Sequence, residues 1–280
     1  MTRLHDAGPT DGELRRLGGL GGPGGPGGPE SPQSFVSEIP FSFEMSDDGL
    51  EMVGDAGVTD ALRSVPTGPP RASVLATIAD CLAGIPACFV TAPSLAVTLD
   101  IAVRMVAEHA GDRLDLAGEV VKRGRSTVAA EVRFTEAQTG ELVASSYVTL
   151  MASPRPQDLA PPLARGMRTT GSMPIPFPEF VGTRTLSVGV VEVDLTPFVM
   201  QASGSLQGGV VALIGEVAAE SLTRSQVLDL DIRYRSAVRV GPGRATATLL
   251  RADLVRVEVR DIGSDNRLAA LIIARMVPTS

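Results

Sequence analysis

Residues 67–81 read Thr-Gly-Pro-Pro-Arg-Ala-Ser-Val-Leu-Ala-Thr-Ile-Ala-Asp-Cys, and residues 203–217 read Ser-Gly-Ser-Leu-Gln-Gly-Gly-Val-Val-Ala-Leu-Ile-Gly-Glu-Val. At an offset of 136 residues the two stretches share residue type or charge at five positions: Gly68 and Gly204, Val74 and Val210, Ala76 and Ala212, Ile78 and Ile214, Asp80 and Glu216. The likeness continues downstream in three further matches: Leu99-Asp100-Ile101 with Leu230-Asp231-Ile232, Arg104 with Arg235, and Glu131-Val132-Arg133 with Glu258-Val259-Arg260. A period this long does not fit a solenoid and indicates a duplicated domain.

The bulk composition is that of a globular protein. A chain of 280 residues with 44% apolar residues accommodates two units of about 110–120 residues. The net charge of −7 argues against a nucleic-acid partner, because such proteins need clustered positive charge. We find no secretory signal and no apolar run near the length of a membrane helix, so we expect a cytoplasmic protein without a membrane partner.

Cysteine and histidine are too few for several kinds of site. Cys81 and Cys88 lie in an apolar segment, and we interpret them as reduced core residues, with a redox pair as the less favoured alternative. The only histidines are His5 and His109. We therefore expect neither a Ser-His-Asp triad nor a metal site, and nothing in the sequence calls for a cofactor.

Composition divides the chain into four segments. Residues 1–34 are rich in Gly-Gly-Pro and are predicted to form a disordered tail. Residues 35–153 form the first predicted unit, residues 154–178 a proline-rich linker, and residues 179–280 the second unit.

Each unit shows the same order of predicted elements. A strand (about 41–54 and about 185–195) leads through a Gly/Pro turn into an apolar helix (about 70–84 and 206–222), followed by four strands. These strands are Leu95–Met105, Leu114–Lys122, Thr127–Thr135 and Leu142–Met151, then Val227–Val238, Ala245–Ala252, Val255–Asp261 and Leu268–Val277. A helix that is apolar on most of its circumference must be enclosed. We predict an α+β fold in which each antiparallel sheet wraps a central helix, and the two sheets join edge to edge.

Three short motifs resemble those of a known family. They are a Gly-x-x-[His]-Gly-Gly turn with an acid on the helix that follows, a Ser/Thr-x-Asp strand, and a Lys-x-Gly-[Lys/Arg] strand end. In this order they resemble the hotdog-fold thioesterases of the phenylacetate-pathway type, from about residue 41 onward. The resemblance implies a tandem (double) hotdog fold. It also implies active sites across the interface, each combining helix N-terminal amides of one unit with an acid and a hydroxyl of the other.

Carried over by position, the family motifs are split between the two copies. The first copy has the acid Asp80, the hydroxyl Thr98 and the coenzyme A contact Lys122-Arg123-Gly124-Arg125, but its turn reads Pro70-Arg71-Ala72-Ser73. The second copy has the glycine turn, with Gln207 in place of the family's histidine, then Gly208 and Gly209. Its acid is Glu216, and Asp229 replaces the hydroxyl. The resemblance thus implies one complete composite site, with Glu216 marking a second site that is inactive or structural.

The residues of the complete site suit thioester hydrolysis. Amides at a helix start can stabilise an oxyanion, and glycines let a ligand approach that backbone closely. An aspartate opposite them can act as a general base or a nucleophile. The leading hypothesis is hydrolysis of an acyl-CoA or acyl-carrier-protein thioester. The alternatives are a non-hydrolytic acyl-CoA-binding or regulatory protein and, less favoured, a hydratase. Further association is expected to give a closed homodimer or homotrimer of double units.

Overall fold

The computed structural model describes residues 34–278, apart from 67, 156, 161–163 and 202. The predicted tail lies outside these residues except for Ser34. The described chain forms one antiparallel sheet of 13 strands. Its strands are β1 (Phe41–Met45), β2 (Glu51–Gly57), β3 (Ala96–Met105), β4 (Arg113–Arg123), β5 (Thr127–Glu136), β6 (Leu142–Ala152), β7 (Gly166–Arg168), β8 (Arg184–Ser187), β9 (Val190–Val193), β10 (Val227–Tyr234), β11 (Gly243–Arg251), β12 (Leu254–Asp261) and β13 (Arg267–Met276). The α-helices are α1 (Ala72–Thr91), α2 (Phe177–Phe180) and α3 (Gly208–Thr223).

The sheet consists of two halves that meet at β3 and β10. The strand order is β7-β1-β2-β4-β5-β6-β3-β10-β13-β12-β11-β9-β8, so β1–β7 with α1 make a first half and β8–β13 with α2 and α3 a second. At the junction, Arg104 pairs with Asp229 and Asp100 with Arg233 across the strands. Arg104 also forms an ion pair of 2.7 Å with Asp231. The expected edge-to-edge union of the two sheets is confirmed.

Each long helix is enclosed by its own half of the sheet. Helix α1 packs on β3–β6 and α3 packs on β9–β13. Most of their apolar residues are buried and the others are half-buried, as expected for a helix that is apolar on most of its circumference. The tandem double hotdog architecture predicted from the sequence is confirmed.

Helix α1 is longer than predicted. It continues past Gly84 and through Pro86 to Thr91, although proline removes a helical hydrogen bond. Burial of Pro86, Ala87 and Cys88 outweighs that local preference. By length and composition α1 could also cross a membrane, with a mean hydropathy of 1.8 over its apolar window, of which 67% is buried in the protein. Our expectation that no apolar stretch approaches that length is therefore wrong for α1, whose burial is typical of a core helix.

The first predicted strand of each unit is a hairpin. Residues 41–57 form β1 and β2 around a turn at Gly49, which has a φ of 73°. Residues 184–193 form β8 and β9 around Gly189, which has a φ of 76°. Both glycines occupy left-handed conformations that other residues adopt at a cost. The predicted linker also contains structure, since β7 pairs with β1 and α2 begins at Phe177.

The two long helices pack directly against each other. The contact is closest where α3 begins, because a Cβ built on Gly209 would overlap Oγ1 of Thr77 on α1. Thr77 is held there by donating a hydrogen bond of 2.8 Å to the Ser73 carbonyl. Gly209 therefore lets the N-terminus of α3 lie against the second turn of α1.

We expect Gly209→Ala to lower the free energy of unfolding by about 1–3 kcal/mol, because the new methyl group overpacks the helix contact. The double variant Gly209→Ala/Thr77→Ala removes the hydroxyl that the methyl group meets first and should recover part of the loss. Urea unfolding of the three proteins measures both effects. A single variant as stable as the wild type would show that the helices do not touch at this point.

Candidate active site

A cavity of about 780 Å³ lies where the two halves meet. Its walls are α1 from Asp80 to Cys88, the start of β3, the end of β10 and the turn before α3. This volume is within the range of small-molecule sites. The cavity joins Asp80 to the N-terminus of α3, as a composite site requires.

Asp80 and Thr98 form a hydrogen-bonded pair in this cavity. The Thr98 hydroxyl donates to Oδ1 of Asp80 at 2.6 Å. Burial raises the pKa of Asp80 to about 6, and the Thr98 hydrogen bond opposes part of that rise. A carboxylate with this pKa is ionised at neutral pH and is a stronger base than an exposed aspartate.

Gly208 brings the second half against this pair. A Cβ built on Gly208 would lie 3.5 Å from Oδ2 of Asp80. Gly208 is the first residue of α3, where backbone amides lack intrahelical acceptors and the helix dipole favours negative charge. A Cβ there would also lie 3.1 Å from the Tyr234 hydroxyl, so any side chain at position 208 would fill the narrow space between the start of α3 and the Asp80 carboxylate.

Gln207 and Gly209 do not line the cavity. Oε1 of Gln207 accepts a hydrogen bond from the Gly209 N–H, so Gln207 caps its own helix. Both residues are buried, and Gly209 lies against Thr77. Of the five residues predicted for catalysis, the structure thus brings Asp80, Thr98 and Gly208 together in the cavity wall.

The predicted coenzyme A contact lies outside the cavity wall. Lys122 and Arg123 end β4, and Gly124 and Arg125 begin the turn to β5; all of them except Gly124 are exposed. Strand β6 separates this turn from β3. Arg123 lines a separate cleft of about 150 Å³, together with Arg165 and Phe89.

Four arginines that the sequence analysis did not select line the cavity instead: Arg155, Arg235, Arg239 and Arg267. Arg239 donates to the Ser203 carbonyl at 2.6 Å. Its pKa is lowered by burial and by the positive charges of Arg155 and Arg267, although Asp158 opposes this. The exposed Arg235 makes no side-chain hydrogen bond or ion pair within the described chain. The internal repeat matches Arg235 with Arg104. Arg104 binds Asp231, whereas Arg235 lines the cavity.

Tyr234 is another cavity residue without a sequence signal. Its hydroxyl donates to the Gly208 carbonyl at 2.9 Å. Burial and the nearby Asp80 charge raise the pKa of Tyr234 well above its ordinary value. The phenol is therefore neutral and fixes the first peptide of α3 beside Asp80.

The equivalent interface on the other side is closed by Glu216. Its carboxylate accepts hydrogen bonds from the Ala72 N–H at 3.0 Å, from the Ser73 N–H at 3.3 Å and from the Ser73 hydroxyl. Arg71 lies 3.8 Å from the same carboxylate and binds Glu220 at 2.8 Å. The amides of α1 are thus occupied by the protein's own side chain. Below we call this the closed interface, and that of Asp80 and Gly208 the open interface.

Two further features describe the closed interface, one at its acid and one on its strand. Burial raises the pKa of Glu216 to about 7, although Arg71 opposes the rise. Asp229, at the position equivalent to Thr98, binds Arg275 at 2.7 Å. At the closed interface the Ala72 and Ser73 amides are therefore occupied, and an aspartate bound to arginine stands where Thr98 contacts Asp80 at the open one.

Other reactive side chains near the cavity are inert. Cys81 and Cys88 are free and both line the cavity. Burial raises the pKa of both thiols, which keeps them protonated. Within the described chain, no group of three or more His, Cys, Asp or Glu residues could hold a metal ion.

Comparisons of the whole fold agree with this architecture. No family model matches the sequence and no curated protein is similar to it. Among solved structures, the chain is similar to an acyl-ACP thioesterase from Bacteroides thetaiotaomicron (11% identity, 83% of this chain and 100% of that one, TM-score 0.58). It is also similar to the 12:0-ACP thioesterase from Umbellularia californica (10% identity, 82% and 98%, TM-score 0.60). A third similar structure is the TesB protein of Mycobacterium avium subspecies paratuberculosis (12% identity, 84% of this chain and 96% of that one, TM-score 0.55). The chain has the double hotdog fold that such thioesterases adopt.

Proposed function

We propose that the protein hydrolyses an acyl thioester at the open interface. The observation that carries this proposal is the 3.5 Å between Oδ2 of Asp80 and the position of a Cβ on Gly208, inside a cavity large enough for a substrate. A base and a helix N-terminal amide from different halves therefore face one small space. Thioesterases among the structures of similar fold support the same reaction.

In the proposed reaction, Asp80 takes a proton from a water molecule, whose oxygen attacks the thioester carbonyl carbon. The carbonyl oxygen becomes an oxyanion and is stabilised by the Gly208 N–H. The C–S bond then breaks, and the thiolate leaves and receives the proton held by Asp80. The products are a carboxylic acid and a thiol. Direct attack by Asp80 through an anhydride, which water then opens, uses the same groups.

The arginines of the cavity point to an anionic carrier. Coenzyme A and the prosthetic group of acyl carrier proteins both bear phosphate, which guanidinium groups bind well. Arg235 follows directly after Tyr234 at the end of β10, and Arg239 lies four residues further along the chain. We propose that these arginines, rather than the turn from Lys122 to Arg125, bind the phosphate of the carrier.

One observation favours binding without hydrolysis as a second candidate function. Gln207 stands where the family has histidine, and its side-chain oxygen is used to cap α3. Incubation with an acyl-CoA panel and a thiol reagent separates the two functions. Release of thiol supports the hydrolase, whereas binding without release supports a carrier or regulator.

If Asp80 acts as the base, kcat/KM should rise with pH along an acid limb that has an apparent pKa of about 6. Thr98→Val removes a hydrogen bond that stabilises the carboxylate, so the limb should move to higher pH. Thr98→Ser keeps the hydroxyl and should leave the apparent pKa of the acid limb unchanged. A pH profile of kcat/KM for the three proteins measures this. The same limb in Thr98→Val and wild type would contradict the role of Asp80 as the titrating base.

The two acids should respond differently to loss of charge. Asp80→Asn should lower kcat by about 10²–10⁴-fold, the usual contribution of a general base. Glu216→Gln should leave kcat close to that of the wild type. It should instead lower the free energy of unfolding by about 1–3 kcal/mol, because an amide cannot accept all the hydrogen bonds from Ala72 and Ser73.

Steady-state kinetics and urea unfolding of both variants test this difference. Equal loss of kcat in Glu216→Gln and Asp80→Asn would mean that the closed interface also reacts. Full activity in Asp80→Asn would remove Asp80 from the mechanism.

Arg235→Gln should raise KM severalfold for acyl-CoA, because it removes an exposed positive charge from the cavity rim. It should not change kcat/KM for the matching N-acetylcysteamine thioester, which carries no phosphate. Arg133→Gln removes an exposed arginine of β5 that does not line the cavity and serves as the control. A fall in kcat/KM of the same size with both substrates would assign Arg235 a role other than phosphate binding.

A further inference from the structure

Gly84 is an unusual residue for the middle of a buried helix. It lies in the fourth turn of α1, where glycine is less favourable than every residue except proline. Its φ is not in the left-handed range, unlike those of the turn glycines. Backbone conformation therefore does not require a glycine at this position.

Close packing does not require it either. In α3, a Cβ on Gly209 would overlap Thr77, and a Cβ on Gly215 would overlap Cδ1 of Ile272. A Cβ on Gly84 would meet no atom within 4 Å apart from its chain neighbours and the nearby backbone of its own helix. Gly84 instead lines the large cavity, one helical turn beyond Asp80. The open space beside its Cα is therefore part of the cavity.

Part of the cavity wall is apolar. It is formed by Cys81, Ile85 and Cys88 of α1, with Leu150 and Met167 from the sheet. Four residues of helix advance about 6 Å, and eight about 12 Å. An acyl chain attached to a carbonyl between Asp80 and Gly208 would therefore cross Gly84 a few carbons from the thioester and then reach Cys88.

We propose that Gly84 is a specificity-determining residue, which leaves room for an apolar acyl chain that extends beyond the first helical turn past Asp80. This inference rests on the proposed function and names its substrate class as medium- or long-chain fatty acyl thioesters. A side chain at position 84 would fill the path of the chain without touching the reacting atoms. Short acyl groups end before they reach it.

The test compares the wild type with Gly84→Ala and Gly84→Leu, using acetyl-, butyryl-, octanoyl- and dodecanoyl-CoA. Gly84→Leu should keep kcat/KM for acetyl- and butyryl-CoA and lose about 10-fold or more for the longer substrates. Gly84→Ala, the matched smaller change, should fall between. Both variants should unfold at the same or higher urea concentration than the wild type, because they replace a helical glycine in open space.

Two results would overturn the inference. An equal effect of Gly84→Leu on all four substrates would show that the chain does not pass this position. A lower urea midpoint for Gly84→Ala would show that the space beside Gly84 is filled.

A binding measurement tests the role of Gly84 independently of the proposed hydrolysis. If the wild type releases no thiol from any substrate, the hydrolase proposal fails. Calorimetric titration with octanoyl-CoA then tests Gly84 alone. Tight binding to the wild type and weakened binding to Gly84→Leu would support the chain path, whereas equal binding, or none to the wild type, would overturn it.

Discussion

Two helix N-termini face two carboxylates in this molecule, and what each N-terminus binds determines the function of its interface. The contact of α3 with α1 at Gly209 and Thr77 brings the N-terminus of each helix close to the carboxylate carried by the other helix. At the closed interface, Glu216 bonds directly to the Ala72 and Ser73 amides. At the open interface, Asp80 is one methylene shorter and stops short of Gly208, where it is held by Thr98.

Helix capping accounts for the difference. A helix start needs acceptors for its free amides. In α1 the other half of the protein supplies that acceptor as Glu216, whereas in α3 Gln207 supplies it from within the same half. Gln207 caps the Gly209 amide, so Asp80 is not needed for that bond, and Gly208 lines the cavity. Gln207 therefore has a structural role as the cap of α3. Its place at the family's histidine position did not suggest that role.

The sequence predicted the fold well because duplication and helix burial leave strong patterns. It placed both long helices, the union of the two sheets and the cavity between Asp80 and α3. It missed the hairpins at Gly49 and Gly189, where a turn signal lay inside an otherwise strand-like run. The prediction also ended α1 too early, since local propensity at Gly84 and Pro86 was outweighed by burial.

The candidate site was harder to predict because its polar wall comes from distant segments. Arg155 follows β6 in the first half, while Arg235 and Arg239 follow β10 in the second, and the pairing of β3 with β10 joins the two halves around one cavity. Motif resemblance instead favoured Lys122–Arg125, which are adjacent in sequence but lie beyond β6. Tyr234 resembles an ordinary strand residue, since aromatic residues are common in strands, and its role follows only from its hydrogen bond to Gly208.

An open site costs stability. Burial raises the pKa of the acid at both interfaces, but the closed interface gives its acid more hydrogen-bond donors than the open one. The raised pKa of Asp80 means that its negative charge destabilises the folded state at neutral pH. The bare Gly84 also leaves space unfilled beside α1. The closed interface, by contrast, gives Glu216 three hydrogen-bond donors and the nearby charge of Arg71. Duplication within one chain permits this division, because a symmetric dimer of identical units would have to carry either two open interfaces or two closed ones.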